Sequence, residues 1–156
     1  MLLMLAGASG AVDKIAELQQ HFDRESHAGS KVKLLEKLAD AQFEATRKAS
    51  AAGDFQSVGF TFEKYRDNVR TCFDLLKKQE PDADRHPGGY RQLELEVRKG
   101  IREVEDAIQT APLDLRPPLE IVHNDILDMD NELIRLLFPR RTSDPKKVPP
   151  LPEEKP

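Results

Sequence analysis

The residues best placed for chemistry are gathered between Glu120 and Glu132: Glu120, His123, Asp125, Asp128, Asp130 and Glu132. Glu120 and His123 form a Glu-x-x-His pair, which on a helix sets a carboxylate and an imidazole on one face, the spacing used by dinuclear metal bundles. Such a centre needs a second Glu-x-x-His and further inward carboxylates, and this spacing occurs once. His21 follows Glu17 at a spacing of four, and His86 stands in a proline- and glycine-rich stretch. The simpler expectation is a solvated acidic face on the back of an apolar seam. Asp128-x-Asp130-x-Glu132 has the spacing that opens a calcium loop, but Leu133 stands where that loop needs glycine and Pro139 where it needs its closing glutamate. The chain has no G-x-S-x-G elbow and no phosphate-cradling glycine loop. Ser26, Ser30 and Ser50 fall at or near helix ends, where capping explains them. No catalytic, cofactor-binding or metal-ligating residue is therefore expected, and no cofactor. A metal-binding bundle using Glu120 and His123 is the reading kept from a different class.

The elements that would carry these residues are helices. In 156 residues, 33% are charged and 38% hydrophobic. That balance suits slender helices with wide solvated faces in one domain. Apolar residues recur at steps of three and four in five segments. The first spans about 12–26, with Ile15, Leu18 and Phe22 on one face. The second spans about 31–52, with a seam of Leu34, Leu38, Ala41, Ala45, Ala49 and Ala52, widened by Leu35 and Ala39. Its alanines would admit a close neighbour, and Ser30 would cap its start. The third spans about 55–79, with Phe55, Val58, Phe62, Tyr65, Val69, Cys72 and Leu76 in register. The fourth spans about 90–110, through Leu93, Val97, Ile101, Val104 and Ile108. Gly100 within it either permits a close helix contact or is tolerated on the surface. The fifth runs from Pro117 to Phe138, along Leu119, Val122, Ile126, Met129, Leu133 and Leu136. Ile121, Leu127, Ile134 and Leu137 add apolar surface, so this helix should be the most buried.

Gly53-Asp54 reads as a tight helix–helix turn, glycine ending one helix and aspartate capping the next. Short turns make neighbours antiparallel. The expected fold is all-α: an antiparallel bundle of four to five helices over residues 12–138, followed by a Pro-, Lys- and Glu-rich tail at 139–156 that should be disordered. Arg91, Arg98, Lys99 and Arg102 alternate with Glu94, Glu96, Glu103 and Glu105, which reads as a solvated mixed-charge face. No strand pattern and no repeated unit is visible.

Net charge is −4, and the tail carries five basic against three acidic groups, a surplus of two that leaves the body near −6. With no Trp and two Tyr, neither a basic stripe nor a stacking platform for nucleic acid is present. Cys72 stands alone, so an intrachain disulfide cannot form, and its place in a seam predicts a buried thiol. Residues 1–11 (MLLMLAGASGA) form an uncharged apolar leader ending in small residues, akin to a truncated signal peptide. No segment approaches the length of a membrane span. Lys146-x-x-Pro149-x-x-Pro152 in the tail fits a polyproline II ligand.

The stretch LLEKLADAQFEATRKASAAGDF, followed by FQSVGFTFEKY, resembles the helical hairpins of tetratricopeptide-like proteins and those of certain bacterial extracytoplasmic proteins of unknown function. It covers roughly 45 residues, and the repetition expected of the former family is absent. The resemblance implies helical hairpins and supplies no catalytic residues; the second family also implies export. The reading is an exported or envelope-associated, non-enzymatic interaction module, periplasmic or secreted, with a protein partner and with homodimerisation through an exposed seam as an option. A cytoplasmic adaptor binding a protein is the rival.

Overall fold

The computed structural model describes residues 8–139; the start of the leader and the tail beyond Pro139 lie outside the described residues. Five α-helices follow one another: α1 (Ala8–Arg24), α2 (Ala28–Ala51), α3 (Phe55–Gln79), α4 (Gly88–Thr110) and α5 (Arg116–Leu137), with a 3-10 turn at Leu113–Leu115. The chain is an all-α antiparallel bundle, with no strand among the described residues. α1 begins inside the expected leader, four residues earlier than the periodicity indicated, and carries Ser9 and Gly10 in its first turn.

The α2–α3 turn closes as its residues dictate. Gly53 adopts φ 76°, its N–H reaches Ser50 O at 3.0 Å, and the Asp54 N–H reaches Ala49 O at 2.9 Å. That pair of bonds is the Schellman arrangement, which satisfies carbonyls left open at a helix end. Asp54 then caps α3, its carboxylate accepting from the Ser57 N–H at 3.2 Å and the Ser57 hydroxyl at 2.6 Å. Ser30 does not cap α2: the helix begins two residues earlier, after His27, with no local side-chain cap. Gln79, from the far end of α3, takes that role. Its amide oxygen accepts from the Ala28 N–H at 2.8 Å and its amide nitrogen donates to Ser26 O at 2.6 Å. At the other end of the bundle Arg116 donates to Ala111 O at 2.9 Å, closing the terminus of α4.

Helices two apart run parallel, as ordered cross-links show. Gln92 reaches Glu36, Lys99 reaches Asp40 and Glu103 reaches Arg47 between α4 and α2. Arg66–Asp125 at 3.1 Å and Lys77–Glu132 at 3.5 Å tie α3 to α5 in the same sense. α2 packs on α3 and α4, α3 on α4 and α5, α4 on α5, and α1 on α2. α1 and α5 are thus the outermost helices.

The seams of α3 and α4 lie in the core as expected, with Val58, Phe62, Tyr65, Val69, Cys72 and Leu76 facing Leu93, Val97, Ile101 and Val104. The buried face of α2 does not follow the Leu34–Ala52 seam. It consists of Val32, Leu35, Leu38, Ala39 and Phe43, with Lys31, Gln42 and Thr46. Ala41, Ala45 and Ala49 are half-buried and Ala52 is exposed. Phe43 decides this rotation: its ring sits 4.9 Å edge-on to Tyr65 and 6.3 Å from Phe62, burying more area than an alanine row. α5 is not the most buried helix. As the last one it packs on two neighbours, and Ile121, Leu127, Ile134 and Phe138 stay exposed.

Candidate functional site

The acidic residues of α5 are not one solvated face. Asp125 pairs with Arg66 and lies 3.9 Å from Arg70, Glu132 pairs with Lys77, and His123 Nε2 lies 3.0 Å from Glu105 Oε1 on α4. Asp130 points inward and is buried. Glu120 is exposed, and His123, its Glu-x-x-His partner, is engaged with α4. Among the described residues no group of three or more His, Cys, Asp or Glu side chains could hold a metal ion. The calcium-loop spacing lies in continuous helix.

The mixed-charge face of α4 is also divided. Glu94 and Glu96 are buried, on opposite flanks of the seam. Glu94 bonds Arg98. Glu96 Oε1 and Asp130 Oδ1 find no hydrogen-bond partner among the described residues. Burial pushes the Glu96 carboxyl up to about 7, opposed by Lys99 and reinforced by Asp40 and Glu36. Burial raises Asp130 too, with Glu94 adding to it and Arg98 opposing. Tyr65 passes between these groups, donating its hydroxyl hydrogen to the Glu96 carbonyl at 3.1 Å, and burial holds its phenol well above the usual range. None of Glu94, Glu96 and Asp130 lines the two grooves described next.

The surface offers two grooves of note. One runs along the outer side of α5, between Arg70, Asp125, Asp128, Glu132, Arg135 and Phe138, and its charges are largely paired with each other or with α3. The other lies at the end of the bundle where α3 and α5 begin. It is lined by Gly53, Asp54, Phe55, Gln56, Gly59, Phe60, Glu63, Leu115 and Pro118. Its floor is apolar and its rim is acidic, with no basic residue in the lining. Asp54 stays a carboxylate to lower pH than usual, because the Ser57 hydroxyl and N–H bond it.

Gly59 makes this groove. It stands in the second turn of α3, where glycine costs a helix about 1 kcal/mol relative to alanine. It is buried, yet a Cβ built on it would meet no atom within 4 Å among the described residues. Gly100 on α4 is the opposite case: a Cβ there would fall 2.1 Å from the Tyr65 hydroxyl. Beside Gly59, Phe60 is 75% exposed and Leu115 is 42% exposed. The sequence carried a signal for Phe60, an aromatic out of step with the Val58–Phe62–Tyr65 seam. It carried none for Leu115 and Pro118, which reach Gly59 only through the parallel packing of α3 and α5. Comparison of the chain with protein-family models, with curated proteins and with solved structures returns no match.

Proposed function

We propose that the protein is a non-enzymatic interaction module whose Gly59 groove docks an apolar side chain carried on a basic segment. The observation that supports this is the pairing of a helical glycine unneeded by its own fold with an exposed phenylalanine. Glycine allows something to approach the backbone closely, and Gly59, though buried, lines the groove with open space beside its Cα. Phe55, Phe60, Leu115 and Pro118 supply contact area, while Asp54 and Glu63 favour a lysine or arginine beside the anchor. Exposed aromatics of this kind carry a disproportionate share of binding energy at interfaces.

The test is selection of displayed peptides against the full chain, with Gly59→Leu as counter-target. Enriched peptides should place an apolar residue next to Lys or Arg. Phe60→Ala should weaken them by about tenfold or more, and Gly59→Leu should abolish binding. Peptides that bind the filled variant equally well would rule the groove out. The apolar leader favours an exported module, with partners outside the cytoplasm. A mature product beginning near Ser9 or Val12, by mass, would support export, whereas a product retaining the leader would favour the cytoplasmic adaptor.

A further inference from the structure

α5 is an outer wall of the bundle, and it carries a second seam besides the one it buries. Leu127, Asn131, Ile134 and Phe138 are all exposed and recur at steps of four, three and four, Phe138 standing at the helix's C-cap. That is the spacing of a coiled-coil seam, on a different face from the buried Leu119, Val122, Ile126 and Leu133. Beside it, on one flank, stand Asp128 and Arg135. Both are exposed, and neither takes part in the ion pairs that α5 makes with α3 and α4. On the other flank His123 is engaged with Glu105 of α4, and Asp130 is buried. We propose that this face of α5 pairs with the same face of a second copy of the chain, the two helices antiparallel about a two-fold axis between Asn131 and Ile134.

A surface meets itself across a two-fold axis only when each feature on one side of the axis finds its complement on the other. Here the charges do so. Asp128 and Arg135 lie on the same flank at opposite ends of the seam. Reversing the second helix brings the acid of each copy beside the guanidinium of the other, so one charge pair forms twice. The same operation sets Leu127 opposite Phe138 and Ile134 opposite Asn131. The two Asn131 side chains then stand on either side of the axis, one layer apart, and a polar residue in an apolar seam fixes register. A parallel pair would instead lay the Asp128–Arg135 flank against the α4 side of the other copy, where His123 is engaged and Asp130 buried. The contact is short, since Leu127 and Phe138 lie about 17 Å apart at a rise of 1.5 Å per residue. So small an interface belongs to the weak class, and the dimer should form at about 10–100 µM.

Sedimentation of the full chain tests this. It should run as a monomer at about 1 µM and as a growing dimer fraction up to about 1 mM. Ile134→Asp should weaken the dimer by about tenfold or more. Arg135→Asp should weaken it too, because each copy then sets an acid against Asp128 of the other, and added salt should lessen that effect. Exchanging both charges, Asp128→Arg with Arg135→Asp, should restore the dimer. All three positions are exposed, so circular dichroism should show unchanged helices in every variant. Chains carrying Asp128→Cys and chains carrying Arg135→Cys, mixed and oxidised, should form the unlike disulfide in excess of the half expected by chance, Cys72 being buried. A chain still monomeric at about 1 mM overturns the proposal, as does a dimer indifferent to Ile134→Asp. A doubly exchanged chain no tighter than Arg135→Asp alone overturns it as well. An excess of like disulfides overturns it in favour of a parallel pair.

Discussion

Glu96 holds a charge problem that pH can solve. In the folded chain its carboxyl is pushed up to about 7, against an ordinary 4.5. Between those values the folded state binds a proton that the unfolded chain has released, so stability falls as pH rises from about 4.5 to 7. Replacing Glu96 with Gln removes the ionisation. The variant should match the parent near pH 4 and be more stable at pH 8 by about 2–3 kcal/mol; denaturant melts showing the same difference at both pH values would contradict the burial. Cys72 belongs to the same interior, its thiol pushed up to about 12 by burial. It should stay unreactive toward a thiol reagent until denaturant is added, since the thiolate is the reacting form. Its burial was legible in the Val69–Leu76 register. The burial of Glu94, Glu96 and Asp130 was not. Each adjoins a seam residue, Leu93, Val97 or Met129, and which shoulder of a seam is covered depends on where the neighbouring helices sit, which periodicity does not encode.

Two glycines on neighbouring helices should respond to alanine with opposite signs. Gly100→Ala drives a Cβ into the Tyr65 ring, a buried group fixed by Phe43 and by its bond to Glu96. Overpacking of that kind costs about 1–3 kcal/mol. Gly59→Ala meets open space and gains helix propensity, so it should stabilise by up to about 1 kcal/mol. Thermal melts of the two variants shifting in the same direction would refute the assignment of one as a packing glycine and the other as a groove glycine. The α2–α3 turn was readable because Gly53 and Asp54 act on backbone within reach. The start of α2 was misread because its cap, Gln79, lies 51 residues away. Gln79→Ala strips the Ala28 N–H and the Ser26 carbonyl of their partner, and should cost about 1–2 kcal/mol, with α2 fraying first by circular dichroism and amide exchange.

The whole molecule is an array in which helices are held unequally. α3 packs on α2, α4 and α5, and truncating Phe62 at its centre should cost about 3–5 kcal/mol, as should be seen in the global melt. α1 sits at the other extreme. It packs on α2 alone with substantial contact, and Phe22 is its one fully buried side chain, capped by the Lys31 ammonium 4.5 Å above the ring. Ile15 and Leu18 are partly buried, and a reciprocal amide pair between Gln19 and Asn68, 3.0 Å in each direction, is its polar tie to α3. Elements with so little buried apolar area open locally at a free energy below that of global unfolding. In native-state hydrogen exchange the amides of α1 should therefore exchange first, at rates little affected by low denaturant, while those of α3 around Tyr65 exchange only on global unfolding. Phe22→Ala should speed exchange in α1 and leave α3 almost unchanged. If α1 and α3 instead exchange with one common free energy, and Phe22→Ala lowers both together, the array unfolds as a single cooperative unit and α1 is an integral wall of the core.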